Sequence, residues 1–286
     1  MKFALVGGDI RSAKLAAMLL RDGHNVSSFA LEKAELPPGI LKCGCLQSSV
    51  YGADCVILPA PAEKSAYLNA PLSDILLPMA ELLGSLWPGQ LVCGGKFSEL
   101  SRTQALRGKL RLEDVLERSD YCAINAALTA EGTLGLLCRE SGKALFESSV
   151  LICGWGRIGK MLALRLAALG ASVSIAARGV PDRAIISAFG FRPLDYRSLE
   201  GELAAFDVIV NTVPSRVISD AMLCLVPEDT LLVELASPPG GFDRTLAENI
   251  GLRVLHAPGL PAKSAPVSAA ALMKRTVFTL LEEGEE

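Results

Sequence analysis

An apolar run, Ser149-Val150-Leu151-Ile152-Cys153, leads directly into Gly154-Trp155-Gly156-Arg157-Ile158-Gly159. An amphipathic helical pattern follows over 160–169, then a second apolar strand over 171–177 that ends on Arg178. Few chains can accommodate this order in anything but a βαβ unit with parallel strands. Each glycine has a mechanical reason. Gly154 permits the tight turn, Gly156 lets the backbone approach a pyrophosphate, and Gly159 lets the helix pack on the strand. The phosphates would lie at the helix N-terminus, where the N–H groups and the macrodipole favour negative charge. Cofactor contacts are therefore expected from Gly154, Trp155, Gly156, Arg157, Ile158 and Gly159. A degenerate unit that keeps the turn and binds nothing is the alternative.

The tip of the second strand distinguishes the two nicotinamide dinucleotides. An NAD site places Asp or Glu about 20 residues past the loop, against the ribose 2′-hydroxyl. Arg178 stands there instead, with Arg183 one turn further on. A guanidinium suits a 2′-phosphate, which it can hold through paired charge-assisted hydrogen bonds. NADP is the expected cofactor, against the plainer reading of an exposed arginine at a strand end.

The chain has 286 residues, enough for two domains of ordinary size. Half of it is apolar, as expected for parallel sheets covered by helices. A net charge of −3 and the lack of a basic stripe argue against nucleic acid. No apolar run approaches bilayer length and the N-terminus lacks the pattern of a signal peptide, so no membrane role is expected. Eight scattered cysteines without Cys-x-x-Cys, and only two histidines, point to a reducing cytoplasm and no metal site.

The first part of the chain repeats the α/β rhythm: strands over 3–6, 25–30, 55–58 and 91–93, with helices over 12–21 and 76–86. Its opening loop, Gly7-Gly8-Asp9, lacks the full fingerprint, so this domain is expected to form one wall of a substrate cleft. The charged stretch over 109–120 reads as a solvated connection. A crossing helix is expected to begin near Thr129, with Thr129 as N-cap and Glu131 in its first turn. Further strands over 206–211, 231–235 and 253–255 end in loops at one sheet edge, where ligands of open α/β sheets bind. Thr212, Val213, Pro214, Ala236 and Ser237 are thereby placed against the nicotinamide half of the cofactor. A last helix over 266–281, burying Val267, Ala270, Ala271, Val277 and Leu281, is expected to fold back on the first domain. The expected fold is α/β, with two Rossmann-like doubly wound parallel-sheet domains (1–120 and 121–286) and a cleft between them.

Taken together, Asn125 through Glu131-Gly132-Thr133, the glycine loop, Leu235-Ala236-Ser237-Pro238-Pro239-Gly240-Gly241 and Ala257-Pro258-Gly259-Leu260-Pro261 resemble the family of dipicolinate synthase A subunits. The opening Gly7-Gly8-Asp9-Ile10-Arg11 fits as well, and the likeness runs over essentially the whole chain. The resemblance implies NADP-dependent oxidation of dihydrodipicolinate to dipicolinate, in the mother-cell cytoplasm of a sporulating bacterium. It implies a partner too, the smaller, flavoprotein-like B subunit of dipicolinate synthase. It also implies a fold akin to the D-2-hydroxyacid dehydrogenases. Their catalytic arginine and histidine are replaced by Ser237 and Gly259, which disfavours a lactate-type reaction.

A small dicarboxylate substrate needs cationic or N–H partners. Arg11, Lys263, and the start of the last helix with Ser264 and Ser268 are the candidates, each of which also reads as an ordinary surface or capping residue. Glu131 is the candidate proton acceptor, or a simple helix-start carboxylate. His256, near the active edge, reads more naturally as structural. Another NADP-dependent dehydrogenase of an amino or keto acid, and a non-catalytic dinucleotide sensor, remain alternatives. The apolar helices admit a homo-oligomer.

Overall fold

In the computed structural model, which describes residues 1–284, the chain forms two compact units. The first unit is Met1–Asn125 together with the segment that begins at Ala265, and the second is Ala126–Ser264.

The first unit carries strands β1 (Lys2–Val6), β2 (Asn25–Phe29), β3 (Leu41–Lys42), β4 (Cys55–Ile57), β7 (Leu91–Gly94) and β8 (Arg111–Asp114) in one parallel sheet, ordered β3-β2-β1-β4-β7-β8. A short antiparallel pair, β5 (Glu63–Lys64) and β6 (Tyr67–Leu68), stands apart. Helices α1 (Ile10–Arg21), α2 (Leu46–Val50), α3 (Met79–Gly84) and α4 (Glu99–Arg107) accompany the sheet. Asp9 caps α1, its carboxylate accepting from the Arg11 N–H at 3.0 Å.

The charged stretch over 109–120 is not a connection throughout: β8 occupies its middle and pairs with β7. Charges are tolerated there because the buried Asp114 is satisfied, accepting from the N–H groups of Lys96, Phe97 and Leu116 and from Arg102. The following helix, α5 (Ser119–Glu140), starts ten residues earlier than the expected Thr129, so Thr129 and Glu131 lie in its interior rather than at its start. Two interior glycines obscure its period. Gly132 is accommodated by close packing, since a Cβ there would stand 2.6 Å from the Ser264 Oγ.

The second unit repeats the first one's strand order. Strands β9 (Ser149–Cys153), β10 (Ser172–Ala176), β11 (Arg192–Leu194), β12 (Val208–Asn211), β13 (Leu231–Glu234) and β14 (Arg253–His256) form a parallel sheet ordered β11-β10-β9-β12-β13-β14. Each sheet places its first strand centrally and reverses direction between its first and fourth, the doubly wound arrangement. Helices α6 (Arg157–Ala168), α7 (Val180–Ala188), α8 (Asp220–Leu223), α9 (Arg244–Asn249) and α10 (Leu260–Ser264) complete the unit. The central strand alternates cleanly. Val150 and Ile152 pack with Leu162 and Leu166 of α6, while Leu151 and Cys153 face the cluster of Phe206, Leu223 and Phe242. Each buried leucine of α6 contributes about 1.5–3 kcal/mol to holding the helix on the sheet.

The final helix, α11 (Pro266–Glu282), belongs to the first unit and packs on α1. Its buried face is Ala269, Ala270, Leu272, Met273, Thr276, Val277 and Leu280. Val267 and Ala271, expected on that face, point outward instead: the buried stripe begins only at Ala269, after Val267, and its phase (269/270, 272/273, 276/277, 280) turns Ala271 to the opposite side.

Candidate functional site

The turn from β9 into α6 has the geometry its glycines suggest. Gly154 has φ +107°, a backbone region that favours glycine, and a Cβ there would meet Thr212 Oγ1 at 2.6 Å and Val213 Cγ2 at 2.8 Å. Gly159 is a packing glycine: its Cβ would stand 2.1 Å from the Gly154 carbonyl oxygen. Gly156 differs from both. It is the N-cap of α6, its side offers no capping group, and a Cβ on it would meet nothing within 4 Å. Open space over the second glycine, in front of a 12-residue helix N-terminus, is the cradle a dinucleotide pyrophosphate requires.

Around this cradle the expected residues take different parts. Arg157 is exposed at the helix start, and Ile158 packs against the core. Trp155 is buried, its ring edge-on to Phe189 and Phe191 at 5.9 and 6.1 Å with the Lys160 ammonium 5.5 Å away. Its side chain therefore serves packing, and only its backbone borders the cradle. Arg178 is exposed at the tip beyond β10, where its guanidinium donates to Ser215 Oγ at 3.1 Å. Arg183, expected to assist it, turns inward and braces the tip, donating to the Ala177 and Arg178 carbonyls at 2.8 and 2.7 Å while pairing with Asp195 at 3.0 Å. Asp182, in the first turn of α7, lies beside Gly179, so the tip holds one carboxylate as well as Arg178.

The other loops leave the same sheet edge. Thr212 Oγ1 donates to the Cys153 carbonyl at 2.8 Å, which ties the loop after β12 to the end of β9. Ala236 is buried beneath the loop after β13, and Ser237 is exposed on it. A cavity of about 310 Å³ opens at the ends of β13 and β14, lined by Glu234, Ala236, Pro238, Gly240, Asp243 and His256. Two residues here were not singled out from the sequence. Asn211 and Glu234 end β12 and β13, are buried, and join at 2.7 Å. The signal for them is a polar residue closing an apolar strand just before a loop of the active edge. Burial, and then the charge of Glu234, push the Cys153 thiol up to about 12.

The candidate carboxylate partners do not converge within one unit. Arg11 and Ser268 fall in the first, Lys263, Ser264 and Glu131 in the second. The Arg11 guanidinium is already engaged by both Asp9 oxygens, Nη2 at 2.9 Å, and by the Ala60 carbonyl at 2.9 Å. It borders a cavity of about 20 Å³ with Ser12 and Tyr121, room for about one water. Burial works to raise the Asp9 carboxyl, but the hydrogen bonds and charge of Arg11 outweigh it and hold it below the ordinary range. Lys263 is exposed on α10. Ser264 Oγ donates to the Leu260 carbonyl at 2.8 Å and so caps nothing, and α11 starts from Ala265 without a side-chain cap. Within the second unit Ser264 abuts Gly132, the neighbour of Glu131. Glu131 is exposed and pairs with Arg165 at 3.3 Å.

Among the described residues no group of three His, Cys, Asp or Glu is placed to hold a metal ion, and no helix is long and apolar enough to cross a membrane. Residues 2–116 match the family of the N-terminal domain of the dipicolinate synthase A subunit. Residues 136–237 match the D-isomer specific 2-hydroxyacid dehydrogenase, NAD binding domain family. The second unit is accordingly a nicotinamide-dinucleotide-binding domain of oxidoreductase type. The dipicolinate synthase A subunit of Bacillus subtilis (strain 168) is 29% identical over 291 residues, covering 99% of this chain and 96% of that protein. The crystal structure of the dipicolinate synthase A chain from Bacillus subtilis superposes with a TM-score of 0.85 at 28% identity, over 100% of this chain and 98% of that one. The crystal structure of the dipicolinate synthase A subunit from Bacillus halodurans gives 0.85 at 26% identity, over 98% and 97%.

Proposed function

We propose that this chain, which belongs to the family of dipicolinate synthase A subunits, oxidises dihydrodipicolinate to dipicolinate with NADP⁺, together with the B subunit, in the mother-cell cytoplasm during sporulation. Aromatising the dihydropyridine ring removes one hydride and one proton. The nicotinamide, when bound, accepts the hydride. The protein's part is to hold, orient and neutralise.

The observation that carries the reading is the cradle at Gly156, open where a Cβ would sit and backed by the close contact of Gly159 on Gly154. Arg178 is assigned to the 2′-phosphate, since its guanidinium is exposed at the strand tip and Ser215 beside it supplies a second polar group. Thr212, Val213, Pro214, Ala236 and Ser237 are assigned to the nicotinamide half, because all lie on loops leaving the carboxyl edge of the same sheet. Ser237 supplies no cation, consistent with a substrate that carries no alcohol to oxidise.

The substrate's two carboxylates are assigned to Arg11 and Lys263, with Ser264 and Ser268 as hydroxyl partners. For Arg11 this means exchanging Asp9 for the substrate, one carboxylate for another on the same fork. Glu131 is assigned the proton. A strong base is unnecessary where the product gains aromaticity, and an exposed carboxylate suffices. Glu131→Gln should lower kcat and leave KM unchanged; an unaltered kcat would pass the task to water.

The decisive experiment follows NADPH absorbance after adding dihydrodipicolinate and NADP⁺, with and without the B subunit. Turnover in either mixture supports the reading, and none in both refutes it.

A further inference from the structure

Asn211 and Glu234 are the most completely enclosed polar pair in the second unit, 0% and 5% exposed. Asn211 Nδ2 donates to Glu234 Oε1 at 2.7 Å and to the Val213 carbonyl at 2.9 Å, and its Oδ1 accepts from the Val213 N–H at 3.1 Å. Glu234 further accepts from the Ala236 N–H at 2.9 Å and from the Gly241 N–H at 2.7 Å. Two side chains thus pin both loops that the proposed function sets against the nicotinamide. The glycine pair is shaped around them. A Cβ on Gly241 would stand 2.3 Å from Asn211 Cγ, and one on Gly240 would stand 2.9 Å from Glu234 Oε2.

Hydrogen bonding alone does not call for a charge at this position. A buried carboxylate without a cation against it is costly, and a neutral acceptor could fix the same loops. Among the described residues no lysine or arginine pairs with Glu234. Arg216 and Arg244 line the adjoining cavity, but Arg216 pairs with Asp220 at 2.6 Å and Asp243 at 3.3 Å, and Arg244 with Glu248 at 3.7 Å. His256 lies opposite Glu234 in the strand register and is exposed.

We propose that Asn211 and Glu234 are positioning residues for the hydride-accepting half of the cofactor site, and that the fixed charge of Glu234 favours the oxidised dinucleotide, whose ring is cationic, over the reduced one. This rests on the nicotinamide-dinucleotide reading above. The charge stands at the right edge: Glu234 is in register with Asn211, and Asn211 with Cys153, where β9 ends and the glycine loop begins. A ring that is positive when oxidised and neutral when reduced feels that charge in one state only, so uptake of oxidant and release of product are both favoured.

Calorimetric titration of NADP⁺ and NADPH into the full chain and into Glu234→Gln, with circular dichroism to verify folding, tests the idea. The wild type should bind NADP⁺ more tightly than NADPH, and Glu234→Gln should move the ratio of the two Kd values by roughly tenfold towards NADPH. Lost loop geometry would weaken both forms alike, so a folded variant with an unchanged ratio overturns the proposal. If Glu234→Gln does not fold, the wild type decides: tighter NADP⁺ supports the proposal, and NADPH held equally or better overturns it. Binding of neither form by folded wild type would instead sink the underlying cofactor reading.

Discussion

Replacing Gly156 by alanine should separate cofactor binding from stability. Gly156 has φ −81° and ψ −169°, a conformation alanine adopts without strain, and the new Cβ meets nothing within 4 Å. The folded protein then loses only the modest advantage of glycine over alanine at an N-cap, about 0.5 kcal/mol. For a unit of this size that lowers Tm by roughly 1–2 °C. The same methyl occupies the space through which a pyrophosphate would approach the helix N-terminus. Displacing the phosphates forfeits one or two charge-assisted hydrogen bonds, about 2–4 kcal/mol, or roughly 30- to 1,000-fold in Kd. Gly159→Ala should behave differently. Its Cβ would lie 2.1 Å from the Gly154 carbonyl oxygen, so α6 must move by about 1 Å, at an overpacking cost of about 1–3 kcal/mol. Melting curves and calorimetric titration with NADP⁺ on the two variants distinguish these effects. A Gly156→Ala protein that melts normally and binds as tightly as the wild type would refute the placement of the phosphates.

On the proposed assignment of Arg178 to the 2′-phosphate, Arg178→Asp should weaken NADP⁺ about 100-fold and NAD⁺ far less, since the guanidinium would meet only the extra phosphate; equal losses in titration would remove Arg178 from that role. The folded-state value of Asp9 lies below the ordinary 3.8, so its pairing with Arg11 stabilises the first unit above that pH, and the contribution disappears as pH falls through the lowered value. Urea unfolding of wild type and Arg11→Ala should therefore differ by about 1 kcal/mol near neutrality and converge once the pH has fallen below the lowered Asp9 value; a gap that stays constant contradicts the pairing. With a thiol reagent on the native protein, exposed Cys45, Cys138 and Cys224 should react first, while buried Cys55, Cys93 and Cys153 should wait for unfolding. Early labelling of Cys153 would contradict its burial at the end of β9.

The second unit is legible in the sequence because its constraints are local. Strand, glycine turn, helix and strand are contiguous, and each glycine has a steric reason confined to a few residues. Where a partner distant in sequence decides, the sequence is silent. The charged stretch holding β8 reads as solvated, because nothing nearby reveals that Lys96, Phe97 and Arg102 will satisfy Asp114. Thr129 has the chemistry of an N-cap, yet α5 runs through it, since α10 packs at Gly132 and offsets the cost of an interior glycine. Trp155 sits in the middle of the fingerprint and reads as a ligand contact, but Phe189 and Phe191 claim its ring. Asn211 and Glu234 close apolar strands whose register, unseen in one dimension, sets them side by side.

The first unit is interrupted by the second, and this orders events during synthesis. Helix α1 leaves the ribosome early, but α11, whose Leu272, Met273, Val277 and Leu280 belong to the face packed on it, follows only after all of Ala126–Ser264. The nascent first unit therefore carries a bare greasy stripe while its successor can already mature, a window in which chaperones or aggregation compete for it. Ion pairs that join Lys274 to Asp22 and Arg118 to Glu283 then latch the late helix in place. A stop codon placed before Pro266 should accordingly yield a second unit that folds and a first that does not.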